Sequence, residues 1–170
     1  MDAIRAGVVT VSDQGYAGQR EDVSGPLLVR LLDQMGASVA GCTIVPDEQA
    51  MIERELVRLA DEDYVELVVT TGGTGPAPRD VTPEATLAVI ERQMPGLVEL
   101  LRSQGYANTP LAVLSRGVAG IRGRTLIINL PGSPKAVREG MDTLRPILPH
   151  AIRMLRGADT EHRTEEESHG

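Results

Sequence analysis

Nine consecutive residues gather most of the chemistry this chain advertises: Gly72-Gly73-Thr74-Gly75-Pro76-Ala77-Pro78-Arg79-Asp80. Glycines reach positive φ and let the main chain approach a ligand closely, so several N–H groups can point at one anion, and a phosphate fits that role. A tight strand-to-helix turn is the plainer use of the same glycines. The segment is neither a Walker loop, which needs Gly-Lys-Ser/Thr at fixed spacing, nor a dinucleotide fingerprint. Pro76 and Pro78 restrict the loop, while Arg79 and Asp80 set a cation and a carboxylate directly before a helix start. Such a site could hold phosphate and metal together.

A second carboxylate stands in a similar place. Asp47 follows the strand-like run "SVAGCTIV" and precedes a helical pattern, where a helix N-cap is the plainer role. Asp80 could also cap its helix, but Thr82, immediately before Pro83, is the better-placed cap, which leaves Asp80 for other work. If Asp47 and Asp80 face one cavity, they make an oxygen-rich site for a hard cation such as Mg²⁺. Asp13 and Asp22, in the first loop, are further polar candidates. The run "NLPGSPK" adds an anion signal: Gly132 permits close approach, Ser133 offers a hydroxyl at a helix start, and Pro134 gives up an N–H the first turn does not need. Lys135 falls in that first turn, where the helix dipole disfavours a cation; a bound anion would account for it, as would a solvated surface position.

These residues need elements to hold them. Residues 4–12 read as a buried strand opening into the loop "DQGYAGQRED". A helix is expected from Ser24 as N-cap, with Leu27, Leu28, Leu31, Leu32 and Met35 on one stripe and Gly36 as the stop. A second strand covers 38–45, and its helix carries Ile52, Leu56 and Leu59 on one face. "LVVTT" forms the third strand, followed by the glycine loop and a helix from Thr82. After a helical segment near 95–104, "RTLIINL" is a further strand, and Ser133 caps a helix begun by Pro134. Pro146 and Pro149 interrupt or restart the last helical run, which reaches about Arg156. Alternation of this kind predicts an α/β three-layer sandwich with a mostly parallel central sheet. Its ligands should bind beyond the carboxyl ends of the strands, where the loops after Ser12, Val45, Thr71 and Leu130 converge.

Composition narrows the class. The 170 residues are 41% hydrophobic without Phe or Trp, so the core must come from Leu, Val, Ile, Ala and Met. A formal charge of −7 would repel a polyanion, which argues against nucleic acid as a partner. The single cysteine, Cys42, excludes an intrachain disulfide and a cysteine-based zinc cluster. The opening residues do not make a signal peptide and no run is long enough to cross a membrane, so a cytoplasmic location is expected. Residues 1–157 are expected to form one domain, and 158–170 an acidic, disordered tail.

The pieces "TVSD" with "DVSGPLL", "IVPDE", "TTGGTGPAPRDVTPEAT", "LSRGVAGI" and "NLPGSPKAV" together resemble the MogA/MoaB-type molybdopterin adenylyltransferases, a domain also similar to the G domain of gephyrin and the plant Cnx proteins. The resemblance implies a molybdopterin-binding-domain-like fold and Mg²⁺-dependent transfer of AMP from ATP to the terminal phosphate of molybdopterin, with pyrophosphate released. It marks Asp47 and Asp80 as the essential acidic, metal-holding pair. Substrate and nucleotide groups follow at Ser12, Asp13, Asp22, Gly72, Gly73, Thr74, Gly75, Arg79, Ser115, Pro131, Gly132, Ser133 and Lys135. It further implies a homotrimer and a downstream molybdenum insertase. Pro78 occupies a position that is basic in some relatives. Two rival readings remain open: a molybdopterin-binding paralogue that no longer adenylylates, and a nucleotide hydrolase of the competence-damage type.

Overall fold

The computed structural model describes residues 2–157; the acidic segment 158–170 lies outside the described residues. The elements run β1 (Arg5–Val11), α1 (Asp13–Tyr16), α2 (Ser24–Gln34), β2 (Ser38–Val45), α3 (Gln49–Val57) with a π turn (Arg58–Glu62), β3 (Leu67–Thr71), α4 (Thr82–Val89) and β4 (Arg92–Gln93). They continue with α5 (Pro95–Asn108), a 3₁₀ turn (Pro110–Leu114), β5 (Ala119–Arg122), β6 (Thr125–Leu130), α6 (Pro134–Leu144) and α7 (Leu148–Arg156).

Six strands form one sheet in the order β2-β1-β3-β6-β5-β4. The first four are mutually parallel; β5 and β4 add an antiparallel edge. Parallel strands joined through helices are covered on both faces and therefore read as unbroken apolar runs. Every residue of β3 and β6 is buried, as are all of β1 but Arg5. Alternate strand residues feed two cores. Ala6, Val8, Leu67, Val69, Leu126 and Ile128 pack against α2, α5, α6 and α7, whereas Val9, Val11, Val68 and Ile127 pack against α3 and α4. The three-layer α/β expectation is met, with four long helices on one face and two on the other.

The sequence reading missed the antiparallel edge. β5 is four residues long and β4 two, below the length at which alternation is visible. A two-residue connection turns β5 into β6, with Gly123 at φ 57°. The segment 13–22, read as loop throughout, opens with the helical turn α1, capped by Ser12, whose Oγ accepts from the Gly15 N–H at 3.0 Å.

Three expected caps also differ. Ser24 lies inside α2, and its Oγ donates to the Gly132 carbonyl at 2.7 Å; the Gly25 N–H is taken up by Asp22 Oδ1 at 2.9 Å. Thr82 is the first residue of α4 and caps nothing; its buried hydroxyl donates to the Gly72 carbonyl at 2.9 Å. Asp47 precedes the α3 N-cap, Glu48, and its carboxylate does not cap the helix. Ser24 and Asp47 join two loops and Thr82 closes its own β3–α4 loop, instead of serving their helices, partner choices that local spacing does not record. Ser133 does cap α6, accepting from the Ala136 N–H at 3.1 Å.

Candidate functional site

The carboxyl ends of β1, β2, β3 and β6 are sewn together by hydrogen bonds between their loops. The Ser12 N–H donates to Val45 O at 2.9 Å and the Gly72 N–H to Leu130 O at 3.0 Å. Thr71 Oγ1 donates to Pro131 O at 2.8 Å. This rim is the surface the four loops were expected to share.

The glycines of the β3–α4 loop are obligatory for steric reasons. Gly72 has φ 99°, and a Cβ there would lie 2.3 Å from Val11 O. Gly73 has φ 66°, with a Cβ position 2.3 Å from Thr82 Oγ1 and 3.0 Å from Asp47 Oδ1. A Cβ on Gly75 would lie 2.9 Å from Asp80 Oδ2. The two aspartates thus flank the glycine loop, Asp47 against Gly73 and Asp80 against Gly75.

Asp47 is held by a reciprocal pair. The Asp13 N–H donates to Asp47 Oδ2 at 2.9 Å, and the Asp47 N–H donates to Asp13 Oδ1 at 3.0 Å. Arg79 closes this arrangement with a bidentate contact to Asp13, Nε to Oδ2 at 2.7 Å and Nη2 to Oδ1 at 3.0 Å. Arg79 holds the Asp13 carboxyl below the ordinary carboxylate range, whereas burial pushes Asp47 up and the neighbouring charges of Asp13 and Asp80 push it further. Asp80 Oδ2 accepts from the Ala77 N–H at 3.1 Å. The second oxygen of each aspartate, Asp47 Oδ1 and Asp80 Oδ1, has no protein donor among the described residues.

That donor set decides what cation could fit. No group of three or more His, Cys, Asp or Glu that could cage a metal occurs among the described residues. Mg²⁺ does not need one: it keeps several waters and is commonly held by one or two carboxylates plus substrate phosphate. Two mutually repelling aspartates, each with an undonated oxygen, fit that ion.

Beside the rim lies a cavity of about 650 Å³, within the range that takes a small organic ligand. One wall is the glycine loop, Gly72 to Gly75, with Asp80; the floor is Pro131, Gly132 and Ser133; Ser115 closes one side. Ser12, Asp13, Asp22, Asp47 and Arg79 are not among its lining residues. The expected site residues therefore separate into a cavity set and an acidic rim set, meeting at Asp80. Ser12 and Asp22 are engaged with the starts of α1 and α2. Lys135, 71% exposed at its side chain and 3.9 Å from Glu139, stands at the mouth.

The opposite wall is absent from the sequence reading. Val98, Leu101, Gln104 and Asn108 of α5, with Leu111 and Leu114 of the 3₁₀ turn, supply an apolar face with two amides. Arg116 was also missed: its N–H donates to Thr74 O at 2.7 Å and its guanidinium to Gly75 O and Asp80 O at 2.9 and 2.7 Å. The motif "LSRGVAGI" was the available signal for it. A flat, polar-edged ligand in the cavity would bring an anionic group to the glycine loop, next to two carboxylates poised for a cation.

The fold agrees with what the chain is similar to. Residues 7–150 match the family described as "probable molybdopterin binding domain". A molybdopterin adenylyltransferase of Helicobacter pylori is 43% identical over 92% of this chain and 90% of its own length. The molybdopterin adenylyltransferase of Escherichia coli K12 is 40% identical over 95% and 90%. The crystal structure of a molybdopterin biosynthesis enzyme, MoaB, from Thermus thermophilus superposes with a TM-score of 0.86 at 49% identity, covering 91% of this chain and 97% of that one.

Proposed function

From the premise that this chain belongs to the molybdopterin-binding-domain family and is a molybdopterin adenylyltransferase of molybdenum cofactor biosynthesis, we propose how its own residues carry out the transfer. Molybdopterin and ATP are the substrates. Molybdopterin occupies the cavity, with its terminal phosphate at the main-chain N–H groups of the glycine loop and near Ser133 and Lys135. The nucleotide phosphates lie along the rim at Asp47 and Asp80. The observation that carries this division is the meeting of the two sets at Asp80, which lines the cavity and also raises the Asp47 carboxyl.

In the reaction an oxygen of the molybdopterin phosphate attacks the α-phosphorus of ATP, the bond to the β-phosphate oxygen breaks, and pyrophosphate leaves. The nucleophile is already anionic, so no general base is required; alignment and charge neutralisation are. Gly73, Thr74 and Gly75 present N–H donors to the incoming phosphate, and Arg79, exposed at the rim, can turn from Asp13 to a nucleotide phosphate. Asp47 and Asp80 would hold Mg²⁺, which when bound neutralises polyphosphate charge in the transition state. Ser12, Asp13, Asp22 and Ser115 serve by shaping the loops around both substrates.

The proposal extends to a homotrimer acting in the cytoplasm and passing its product to a molybdenum insertase. The family resemblance supports the assembly, together with the exposed apolar side chains of Tyr106 and Val113, which do not line the cavity. Among the described residues no helix is long and apolar enough to cross a membrane. Light scattering tests the trimer.

Mass spectrometry of the products from molybdopterin, ATP and Mg²⁺ tests the reaction. Adenylylated molybdopterin and pyrophosphate are expected, with little ATP consumed when molybdopterin is left out. Unchanged molybdopterin would contradict the transfer, and ATP hydrolysis without molybdopterin would put a hydrolase in its place.

A further inference from the structure

Arg116 stands in the coil between the 3₁₀ turn and β5, one residue beyond Ser115. Its own N–H fastens it to Thr74 O, and its guanidinium then addresses three acceptors at once. Nε donates to Gly75 O at 2.9 Å, Nη2 to Asp80 O at 2.7 Å, and Nη1 to both oxygens of Glu84 at 2.7 and 3.2 Å. A planar fork with five fixed donors can meet such a set; a lysine ammonium, a point charge on a flexible stem, cannot.

The two carbonyls are the ends of the proline-rich turn, Gly75 and Asp80. Inside the turn there are only the Ala77 N–H to Asp80 Oδ2 bond and the Asp80 N–H to Ala77 O bond, at 3.1 and 2.9 Å. Pro76 and Pro78 contribute no N–H. The fork therefore closes from outside a turn that cannot close itself by an ordinary ladder. Arg116 is not a lining residue of the cavity, so its influence on chemistry must pass through the residues it holds. The same clamp ties the apolar wall carrying Leu111 and Leu114 to the glycine loop.

We infer that Arg116 is the positioning residue that fixes the Asp80 carboxylate for AMP transfer by pinning both ends of the 75–80 turn. The inference rests on the reading of the chain as an AMP transferase, and its test separates the two. Arg116→Lys keeps the charge and loses the fork. Amide hydrogen exchange at Ala77 and Asp80, read in the ligand-free protein, should quicken by about tenfold while Tm stays within a few degrees of the parent protein. Single-turnover transfer at saturating ATP and molybdopterin should fall by about 10²-fold, with KM for ATP changed by no more than about threefold. Glu84→Gln, which loosens one arm of the fork, should move both readouts in the same direction by about threefold. Parental exchange at Ala77 and Asp80 in both variants would overturn the clamp. Transfer within about threefold of the parent in a folded Arg116→Lys protein with quickened exchange would overturn its catalytic consequence. Failure of the parent protein to transfer AMP would strike the functional reading and leave the exchange result to judge the clamp.

Discussion

Asp13 and Asp47 each donate a main-chain N–H to the other's carboxylate, at 2.9 and 3.0 Å, across 34 residues of sequence. The exchange fixes both side chains without a helix cap, and leaves Asp47 Oδ1 directed at the glycine loop, 3.0 Å from the point a Cβ on Gly73 would occupy. Asp13→Ala should free Asp47 and Arg79 together. Transfer should fall about 10- to 100-fold, with a stability loss of about 1 kcal/mol because the groups are partly solvated. Asp13→Asn keeps an acceptor for the Asp47 N–H and gives up the charged partner of Arg79, so it should retain more activity than the alanine variant in a single-turnover comparison.

The raised Asp47 carboxyl has a cost in stability with a definite sign. Burial favours its neutral form, so the folded protein holds that proton more tightly than the unfolded chain; the resulting stability is present at acid pH and is lost as pH rises through the folded value. Asp47→Asn should therefore melt at the same or a higher temperature at neutral pH, while transfer collapses. In the parent protein the acid limb of transfer should lie above the pH where an ordinary aspartate titrates, and added Mg²⁺, competing with the proton, should move it to lower pH. A limb insensitive to Mg²⁺ would remove the cation from Asp47.

Much of this rim is legible in the amino-acid order, because strand ends, glycines and proline-started helices are punctuated locally. "LVVTT" running into Gly72-Gly73 announces both the strand and the place where the chain approaches a ligand. What local order conceals is which partner a polar group takes. Ser24, Asp47 and Thr82 all stand where caps belong, yet bond to Gly132, Asp13 and Gly72. Arg116 acts on carbonyls 41 and 36 residues away, and Leu101, Leu111 and Leu114 look like core residues until the fold turns them onto a cavity.

Gly73→Ala tests the loop geometry. A left-handed conformation costs a residue with a Cβ about 1–2 kcal/mol, and the contact with Thr82 Oγ1 at 2.3 Å adds to it. A drop of several degrees in Tm is expected, together with loss of transfer out of proportion to it, since Thr82 also holds the Gly72 carbonyl. Gly18→Ala is the control: φ is 74° there with nothing within 4 Å of the added carbon, so only the strain term should appear.

Lys135→Glu reverses charge at the mouth of the cavity on a side chain that is 71% exposed. Tm should hardly move. Affinity for molybdopterin should weaken about tenfold at low salt, and the difference should shrink as salt screens it. Equal affinity of both proteins at low salt would leave Lys135 a solvated helix residue.

Single-turnover AMP transfer by Asp80→Asn, paired with its thermal melt, bears most directly on the central claim. Asparagine keeps an oxygen for the Ala77 N–H, the side chain's one hydrogen bond among the described residues, so folding should be nearly unchanged. It removes the negative charge that links cavity to rim and that a Mg²⁺ ion would require. A melt within a degree or two of the parent protein is expected, with transfer slowed by about 10²- to 10³-fold. Transfer at near-parental rate by the folded variant would contradict that claim.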